Sequence, residues 1–268
     1  MLTYWQAVIL GVVQGLAEFL PISSSGHLQI AQALMGVKSA GPLLDILMHA
    51  GTLAAVLVVF WPDILSMLSH PVRDPRLRML ALASIPAVIA ALLFDDQIDA
   101  LFTSGKYLWL CFIATAALLF GGEALSGLRA RRAQGEVGLK HALTMGVMQA
   151  LAIPPGISRS GSTIAGGLVA GLNREEAAKF SFLMSAVAIA GSLVFSLKDM
   201  LGPGAIEFGH WTIPVAGMLA ALVTGYIAIR WMLNLIRRES LRPFGWYTLA
   251  IGALLLIDQL FFLKVFPE

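Results

Sequence analysis

The chain has 268 residues, of which 58% are hydrophobic and 13% are charged, whereas about a quarter of the residues of a soluble globular domain are charged. This composition excludes an ordinary water-soluble globule and places the fold in a lipid bilayer. The net charge of +2 is too small to indicate a nucleic-acid partner, and a single cysteine excludes a disulfide framework and a cysteine-based metal cluster.

Eight apolar stretches follow one another along the chain. Six of them approach the roughly 20 residues that a helix needs to cross a bilayer, without an internal cluster of charges. In chain order, an interrupted stretch near 4–35 precedes spans near 43–61, 77–94 and 106–125, and a second interrupted stretch near 140–172 precedes spans near 177–197, 211–233 and 244–263. The sequence therefore predicts an all-α integral membrane protein.

The two interrupted stretches contain Pro, Gly and Ser where a span needs apolar helix formers. The interruptions are FLPISSSGH at 19–27 and IPPGISRSGST at 153–163. Non-helical backbone at membrane depth is tolerated only where protein buries it or where it lines an aqueous cavity. We therefore expect two re-entrant helical hairpins in addition to about six transmembrane helices.

The connecting segments differ in charge when they are assigned to alternating sides of the membrane. One side receives Arg73, Arg76, Arg78, Arg129, Arg131, Arg132, Lys140, Arg174, Arg237, Arg238 and Arg242. The other side receives Lys38, Lys106, Lys198, Lys264, Asp95, Asp96 and Asp99. Because cytoplasmic loops are enriched in basic residues, the arginine-rich side is predicted to be cytoplasmic and the C-terminus to lie outside. On this assignment the two hairpins point at each other.

An internal repeat supports this arrangement independently of charge. Residues 11–28 align without a gap on residues 146–163 and match at about half of the positions, including Gln14 with Gln149. Because three spans separate the two copies, the second copy is expected to lie upside down relative to the first. Inverted repeats of this kind place the functional site near the midplane of the membrane, where the halves meet.

The repeat also defines the domain organisation that we expect. The whole chain, 1–268, forms one membrane domain. Its first repeat covers 1–135, and its second, inverted repeat covers 136–268.

The first interrupted stretch carries side chains that are costly to place in a bilayer. Ionisable groups at such positions usually face a bundle interior or an aqueous cavity, which makes Glu18 and His27 functional candidates. Gln14 and Glu18 are spaced i and i+4. A helix therefore presents both on one face, where they can hold a divalent cation or a polar substrate.

Three consecutive serines, Ser23, Ser24 and Ser25, follow the break that Pro21 imposes on the first helix. They lie where the backbone N–H groups of a new helix would be free. A hydroxyl at this place can cap the helix or attack a phosphorus atom, and the sequence alone leaves both functions open.

The second interrupted stretch has the composition of a phosphate-binding turn. Ser158, Arg159 and Ser160 precede Gly161 and Thr163. Exposed N–H groups and the dipole of a helix that begins here favour an anion. The guanidinium of Arg159 can bind phosphate oxygens through two hydrogen bonds and stabilise charge on a transferring group.

Three further polar residues lie in or near the spans. We expect His49, Glu123 and Asp258 to serve helix packing, loop pairing or hydrogen bonding. Glu123 lies near the predicted cytoplasmic end of its span, so it is expected to interact with neighbouring arginines.

Two sequence signatures resemble those of the undecaprenyl-diphosphate phosphatase family of the bacitracin-resistance type. The first is QGLAEFLPISSSGHL, and the second is PGISRSGST. The length of the chain, its number of spans and the spacing of the signatures also resemble the family, so the similarity covers essentially the whole chain. It implies an inverted-repeat fold with re-entrant hairpins, hydrolysis of undecaprenyl diphosphate, and a divalent cation, usually Mg²⁺ or Ca²⁺.

The resemblance also implies functions for individual residues. Ser24 corresponds to the proposed nucleophile, His27 to the proton-transfer position, Arg159 to the diphosphate clamp, and Glu18 to the second acidic position, which is also the expected metal ligand. Further substrate contacts are expected from Gln14, Ser23, Ser25, Ser158, Ser160 and Thr163. At Gln14 many family members carry glutamate, and a neutral amide is a weaker cation ligand and no base.

The sequence leaves several alternatives open. Serine attack with proton removal by His27 or Glu18 competes with direct attack by a metal-held water. A polyprenyl-phosphate transporter is the alternative function, because alternating access also uses inverted repeats. The expected partners are a polyprenyl diphosphate lipid and the bilayer of a bacterial plasma membrane. A homodimer is conceivable through small residues at Gly217, Gly225 and Gly252.

Overall fold

The computed structural model describes residues 2–37, 41–71, 73–94, 105–127, 135–200, 211–262 and 265, with the side chains of all of these except 127 and 197–200. This part of the chain forms eleven helices and no β-strand. In chain order they are α1 (Tyr4–Phe19), α2 (Ser24–Leu34), α3 (Pro42–Val59), α4 (Trp61–Ser69), α5 (Pro75–Leu93), α6 (Leu108–Gly127), α7 (Leu139–Leu151), α8 (Arg159–Ala170), α9 (Arg174–Met200), α10 (Thr212–Ile236) and α11 (Arg242–Phe261).

Six helices are long and apolar enough to cross a membrane, and the chain is a multi-pass membrane protein. They are α3, α5, α6, α9, α10 and α11. Each corresponds to one span predicted from the sequence, so the prediction of an all-α membrane fold with about six spans is confirmed. Many large apolar side chains on these helices are exposed, as expected where the surrounding solvent is lipid and not water.

The first predicted span, near 43–61, is too long at its end. Helix α3 ends at Val59, and a separate short helix, α4, begins at Trp61. Proline has no backbone N–H and fits the first turn of a helix, so Pro62 starts a new helix more readily than it continues an old one. The sequence analysis did not predict α4.

Both interrupted stretches are two helices separated by non-helical residues. Helix α1 ends at Phe19 and α2 begins at Ser24, while α7 ends at Leu151 and α8 begins at Arg159. The side chain of Ser23 accepts a hydrogen bond from the N–H of Gly26, and a second serine caps α8 in the same way. The predicted breaks are therefore confirmed as breaks between helices.

Close helix contacts cross between the two halves of the chain. A Cβ at Gly11 of α1 would overlap the carbonyl oxygen of Gly217 on α10. A Cβ at Gly146 of α7 would overlap the carbonyl oxygen of Ala83 on α5. In both cases the absent side chain lets the backbones of two helices touch.

The largest cluster of buried apolar residues holds α1, α3, α9 and α10 together. At its centre the ring of Phe182 packs edge-on against Phe19, at 5.6 Å between centroids, and against Phe60, at 6.4 Å. Phe19 is the last residue of α1, so this packing fixes the end of the helix that carries Gln14 and Glu18.

Glu123 forms the ion pair that the sequence predicted. Its two carboxylate oxygens accept from both terminal nitrogens of Arg174 at 2.8 and 2.6 Å, and one of them also accepts from the N–H of Leu241 at 2.6 Å. The carboxylate therefore connects α6, α9 and the start of α11 through these three hydrogen bonds.

Several charged residues used in the topology prediction lie outside the described part of the chain. They are Lys38, Asp95, Asp96, Asp99, Arg129, Arg131, Arg132, Lys264 and the side chain of Lys198. The glycines considered for a homodimer lie at contacts within the chain: Gly217 against Ala7 and Leu44, Gly225 against Phe19 and Ala55, and Gly252 against Trp109 and Ile113. They therefore give no support to a second copy.

Candidate active site

The first interrupted stretch brings Gln14, Glu18 and Ser24 into one hydrogen-bonded group. Oε2 of Glu18 accepts from Nε2 of Gln14 at 3.1 Å and from the hydroxyl of Ser24 at 2.6 Å. Gln14 and Glu18 are buried on the same face of α1, as the i, i+4 spacing predicted. The break between α1 and α2 folds Ser24 back onto this face.

Ser23 holds the turn between α1 and α2 in an unusual conformation. Its φ of 74° is the only positive φ of a non-glycine residue in the described part of the chain. A bulky L-residue is strained in this region, and such strain is frequent at functional sites. The hydroxyl of Ser23 caps α2 and lies 3.4 Å from that of Ser25, while its carbonyl oxygen accepts from the ring of His27 at 2.7 Å.

His27 faces away from Ser24. Its Nδ1 contacts the Ser23 carbonyl, and its Nε2 lies 2.8 Å from the hydroxyl of Tyr247 on α11. The structure does not give the His27 ring a hydrogen bond to Ser24. The group in contact with the hydroxyl of Ser24 is Glu18.

The turn before α8 is fixed by a threonine on a neighbouring span. Gly156 adopts a φ of 91°, which favours glycine. The hydroxyl of Thr115 on α6 donates to the Gly156 carbonyl at 3.0 Å and accepts from the N–H of Ser158 at 3.0 Å. The hydroxyl of Ser158 then accepts from the N–H of Gly161 at 3.0 Å, so the start of α8 is set by hydrogen bonds on both sides.

Arg159 joins the two interrupted stretches. Its guanidinium forms an ion pair with Oε1 of Glu18. One residue further on, the hydroxyl of Ser160 donates to the carbonyl oxygen of Leu20 at 3.0 Å. Two bonds therefore connect the start of α8 to the end of α1, and the predicted meeting of the two stretches is observed.

The exposures of this ion pair differ. The Glu18 side chain is 2% exposed, while that of Arg159 is 26% exposed. Within the described part of the chain, the other N–H groups of the guanidinium have no protein acceptor. Arg159 thus offers donors to a ligand from the accessible side, and Glu18 anchors it from the buried side.

The remaining hydroxyls predicted to bind substrate are committed to the protein itself. Thr163 donates to a backbone carbonyl of its own helix, 2.8 Å away at Arg159, and lies 2.6 Å from the hydroxyl of Ser181 on α9. The hydroxyls of Ser158 and Ser160 lie 3.3 Å apart, and both residues, like Thr163, are buried. The hydrogen bonds of these three buried residues fix the start of α8 and so the position of Arg159.

Among the described residues, the buried amide oxygen of Gln14 has no hydrogen-bond partner. Its amide nitrogen donates to Glu18, so the amide oxygen points away from Glu18. A buried carbonyl oxygen in this state can accept from a ligand donor or coordinate a hard cation. No group of three or more His, Cys, Asp and Glu suited to a metal ion occurs among the described residues.

Sequence reasoning missed four residues that surround the site. Thr115 and Ser181 fix the second stretch, while Tyr247 and Phe112 enclose the ring of His27. They come from α6, α9 and α11, far along the chain from the two signatures. A polar residue within an apolar span was the available signal for Thr115 and Ser181, but no sequence signal indicated Tyr247 or Phe112.

His49 was assigned to packing and is also close to the site. Its Nδ1 lies 2.8 Å from the carbonyl oxygen of Asp45 on its own helix. It is near enough to Glu18 for an electrostatic interaction with the carboxylate. The i, i−4 hydrogen bond fits the predicted structural function.

Comparison with known proteins shows similarity over almost the whole chain. The profile of the family described as bacitracin resistance protein BacA matches residues 7–254. A protein named undecaprenyl-diphosphatase from Carboxydothermus hydrogenoformans is 42% identical over 257 residues, covering 95% of this chain and 97% of the relative. Relatives of the same name from Methanobrevibacter smithii and Rubrobacter xylanophilus are 40% and 42% identical over 280 and 272 residues, each covering 95% of this chain and 97% of its own.

Proposed function

Because the chain belongs to the bacitracin resistance protein BacA family, we propose that it is a membrane phosphatase that hydrolyses undecaprenyl diphosphate to undecaprenyl phosphate and inorganic phosphate. This reaction recycles the lipid carrier of cell-wall synthesis and accounts for bacitracin resistance. One observation carries the proposal: the hydroxyl of Ser24 donates to Glu18, and Glu18 is paired with Arg159. A nucleophile, a base and a phosphate-binding cation thus lie in one group.

The four helices around the site are proposed to form two re-entrant hairpins. Helices α1, α2, α7 and α8 have 16, 11, 13 and 12 residues. At a rise of about 1.5 Å per residue none of them reaches the roughly 30 Å of the hydrocarbon core. A helix that stops within the membrane and turns back explains both the short lengths and the polar residues at each turn.

The two halves are proposed to be inverted repeats. Ser23 and Ser158 are 135 positions apart and cap α2 and α8 in the same way. The close contact between α1 and α10 also has a counterpart in the contact between α7 and α5. In each case the first helix of one half packs on the second span of the other half, as expected from a two-fold relation.

The diphosphate is proposed to bind over Arg159, with the prenyl chain leaving sideways into the lipid. The part-exposed guanidinium supplies N–H donors to the phosphate oxygens. The N–H groups that begin α2 and α8 add a favourable field for the anion. We place the opening of the site toward the lipid, because the long apolar tail of this substrate has to leave into the bilayer.

In the proposed reaction, Oγ of Ser24 forms a bond to the terminal phosphorus. The bond from that phosphorus to the bridging oxygen breaks, and undecaprenyl phosphate leaves. Glu18 accepts the proton of Ser24, because its Oε2 already holds that hydroxyl at 2.6 Å. Water then attacks the phosphorus of the phosphoserine, the bond from phosphorus to Oγ breaks, and Glu18 returns the proton to Oγ as inorganic phosphate leaves. Arg159 stabilises the charge on the transferring phosphoryl group in both steps.

A divalent cation, Mg²⁺ or Ca²⁺, is proposed as the cofactor. Glu18 is the protein group that would hold it. One carboxylate ligand fits an ion that keeps several waters and takes its other oxygens from substrate phosphates. When bound, the cation would neutralise charge on the diphosphate.

We place the protein in the bacterial plasma membrane, with its C-terminus outside. The placement rests on the arginine-rich connecting segments, of which Arg73, Arg174, Arg237 and Arg242 lie in or beside the described helices α5, α9, α10 and α11. A cysteine introduced near residue 265 is labelled with a fluorophore that does not cross membranes, in intact cells and in opened cells. The comparison tests the side of the C-terminus. Labelling only after the cells are opened would contradict the placement.

Phosphate release tests the proposed function. Detergent-purified protein is mixed with undecaprenyl diphosphate in Mg²⁺, with EDTA, and with EDTA followed by excess Mg²⁺. The proposal expects release in Mg²⁺, loss in EDTA and recovery when Mg²⁺ is restored. If EDTA does not change phosphate release, the proposed divalent cation is contradicted, whereas the proposed phosphatase activity is not.

The alternative function, a polyprenyl-phosphate transporter, makes a different prediction. The crossed contacts between the halves are also what alternating access requires. A transporter binds the lipid without releasing phosphate, and it moves a labelled lipid across the bilayer of reconstituted vesicles. Lipid binding and lipid transport without phosphate release would overturn the proposed phosphatase activity.

A further inference from the structure

Tyr247 lies against His27, although the two residues are 220 positions apart. Their rings stack at 5.6 Å between centroids with an angle of 8° between planes. Phe112 packs edge-on against the same imidazole at 5.2 Å. The ring of His27 is therefore held between two aromatic side chains from α6 and α11, and its plane is fixed.

Hydrogen bonding also determines the tautomer of His27. Its Nδ1 lies 2.7 Å from the carbonyl oxygen of Ser23, and a carbonyl oxygen can only accept. Nδ1 therefore carries the proton, and Nε2 of the neutral ring has the lone pair. Because Nε2 is 2.8 Å from the phenol of Tyr247, the Tyr247 hydroxyl donates to it.

This arrangement separates the two proton acceptors of the site. Oε2 of Glu18 accepts from Ser24, while Nε2 of His27 accepts from Tyr247. The family resemblance implies proton transfer at His27, and Nε2 is the one atom of its neutral ring that can accept a proton. Tyr247 sets both the plane of this ring and the hydrogen bond at Nε2.

Packing alone does not explain the position of Tyr247. The residue is 42% exposed, and in the described part of the chain the ring nitrogen of His27 is the hydrogen-bond partner of its hydroxyl. Its neighbour Trp246 instead packs against Phe120. The polar end of Tyr247 is thus directed at one atom of the site.

We propose that Tyr247 is a positioning residue that sets the ring plane of His27, donates to its Nε2 and acts on turnover only through His27. The inference deepens the proposed phosphatase and rests on it. It adds to the site a residue from the last helix, outside both sequence signatures. The phenol contributes the hydrogen bond, and the ring contributes the stacking.

A double-mutant cycle tests the proposal. Phosphate release is measured for wild type, Tyr247→Phe, His27→Ala and the double variant, with Tyr226→Phe as the control. Tyr226 is 39% exposed on α10, its ring contacts Arg230, and its hydroxyl makes no hydrogen bond to a site residue among the described residues. Tyr247→Phe keeps the stacked ring and removes only the hydroxyl that binds Nε2.

Tyr247→Phe is expected to lower kcat by roughly tenfold with KM near that of wild type, as for the loss of one hydrogen bond at a reacting group. His27→Ala is expected to lower kcat by about 100-fold. The double variant should equal His27→Ala, and Tyr226→Phe should equal wild type. Multiplied losses in the double variant, or full activity of Tyr247→Phe, would overturn the inference, whereas a wild type that releases no phosphate would overturn the phosphatase itself.

Nitrogen NMR of the histidine side chains gives a second test that needs no folded Tyr247 variant. The chain has five histidines, and the signal of His27 is the one absent from His27→Ala. Wild-type protein should show a protonated Nδ1 and an unprotonated Nε2 at His27. A protonated Nε2 with an unprotonated Nδ1 would contradict the inference.

Discussion

The two interrupted stretches share a sequence pattern and a capping serine, but their burial differs. Helix α8 is buried along most of its length, whereas α2 buries only Gly26 and Leu28. Positions related by the offset of 135 also differ in chemistry: Ser24 corresponds to Arg159, and Glu18 to Ile153. In the proposed reaction, the first stretch carries the groups that exchange protons, and the second carries the guanidinium of Arg159 that pairs with Glu18.

This difference shows how a repeated scaffold can provide an asymmetric site. The repeat supplies the breaks, the caps and the close helix contacts, which both halves need in order to fold. The chemistry comes from positions where the copies no longer match. Substitutions at matched positions should therefore have unequal effects in the two halves, and the following predictions compare a site residue with a neighbouring, a matched or a distant position.

The largest effect is expected at Ser24. Ser24→Ala removes the hydroxyl that Glu18 holds, and phosphate release should fall by at least about 1000-fold, as for removal of a nucleophile. The neighbouring hydroxyl of Ser25 contacts only that of Ser23, at 3.4 Å, so Ser25→Ala should lose far less. Initial rates of phosphate release by the two purified variants make the comparison.

Acid quenching followed by mass spectrometry separates the two possible nucleophiles. Covalent phosphate should be found on the peptide that contains Ser24 in wild-type protein during turnover. Unchanged release by Ser24→Ala would exclude serine attack and favour a water molecule as the nucleophile.

A smaller effect is expected at the matched glutamines, and it is expected at only one of the two. Gln14→Leu removes a hydrogen bond to a carboxylate, so kcat/KM should fall by about tenfold. The amide oxygen of Gln149 is buried without a partner, so Gln149→Leu should retain activity and be at least as stable as wild type. Activity and thermal unfolding of the two variants test this.

Equal loss of activity in Gln14→Leu and Gln149→Leu, with both proteins folded by size-exclusion chromatography, would contradict the asymmetry. It would mean that the second stretch carries a polar function that its position does not indicate.

The smallest effect on turnover is expected at the other buried ion pair. Glu123→Gln breaks the pair with Arg174, which lies away from Glu18 and Arg159 and connects three helices. The Tm should fall by several degrees, because a buried pair that loses one partner leaves the other uncompensated. Phosphate release below the new Tm should be close to that of wild type, and a loss as severe as that of Ser24→Ala would place Glu123 in the mechanism.

Much of the fold could be predicted from the sequence, because apolar length is a direct physical signal in a membrane protein. The six spans and both breaks follow from it. Helix α4 did not follow, since nine residues directly after a span extend the same apolar stretch. The proposed inversion depends on the alignment of residues 11–28 with 146–163 and on the crossed contacts of Gly11 and Gly146.

The site could be predicted only in part. Glu18 and Arg159 were identified because charged residues are costly at membrane depth, and Ser24 was selected among three serines by the family resemblance. The three residues meet in space. The direction of His27 toward Tyr247 could not be predicted, since it depends on how α11 packs near α2. The positive φ of Ser23 also has no sequence signal, because residues other than glycine rarely adopt it.

The most direct test of the central claim makes the two stretches alike. Arg159→Ser gives the second stretch the residue that the first carries at Ser24, and it leaves the capping Ser158 in place. Phosphate release from undecaprenyl diphosphate is measured for this variant and for wild type, with folding checked by thermal unfolding. The account predicts a folded protein whose release falls by at least about 100-fold, because the transferring phosphate loses its cationic partner. Release close to that of wild type would contradict the claim that activity depends on the difference between the two halves.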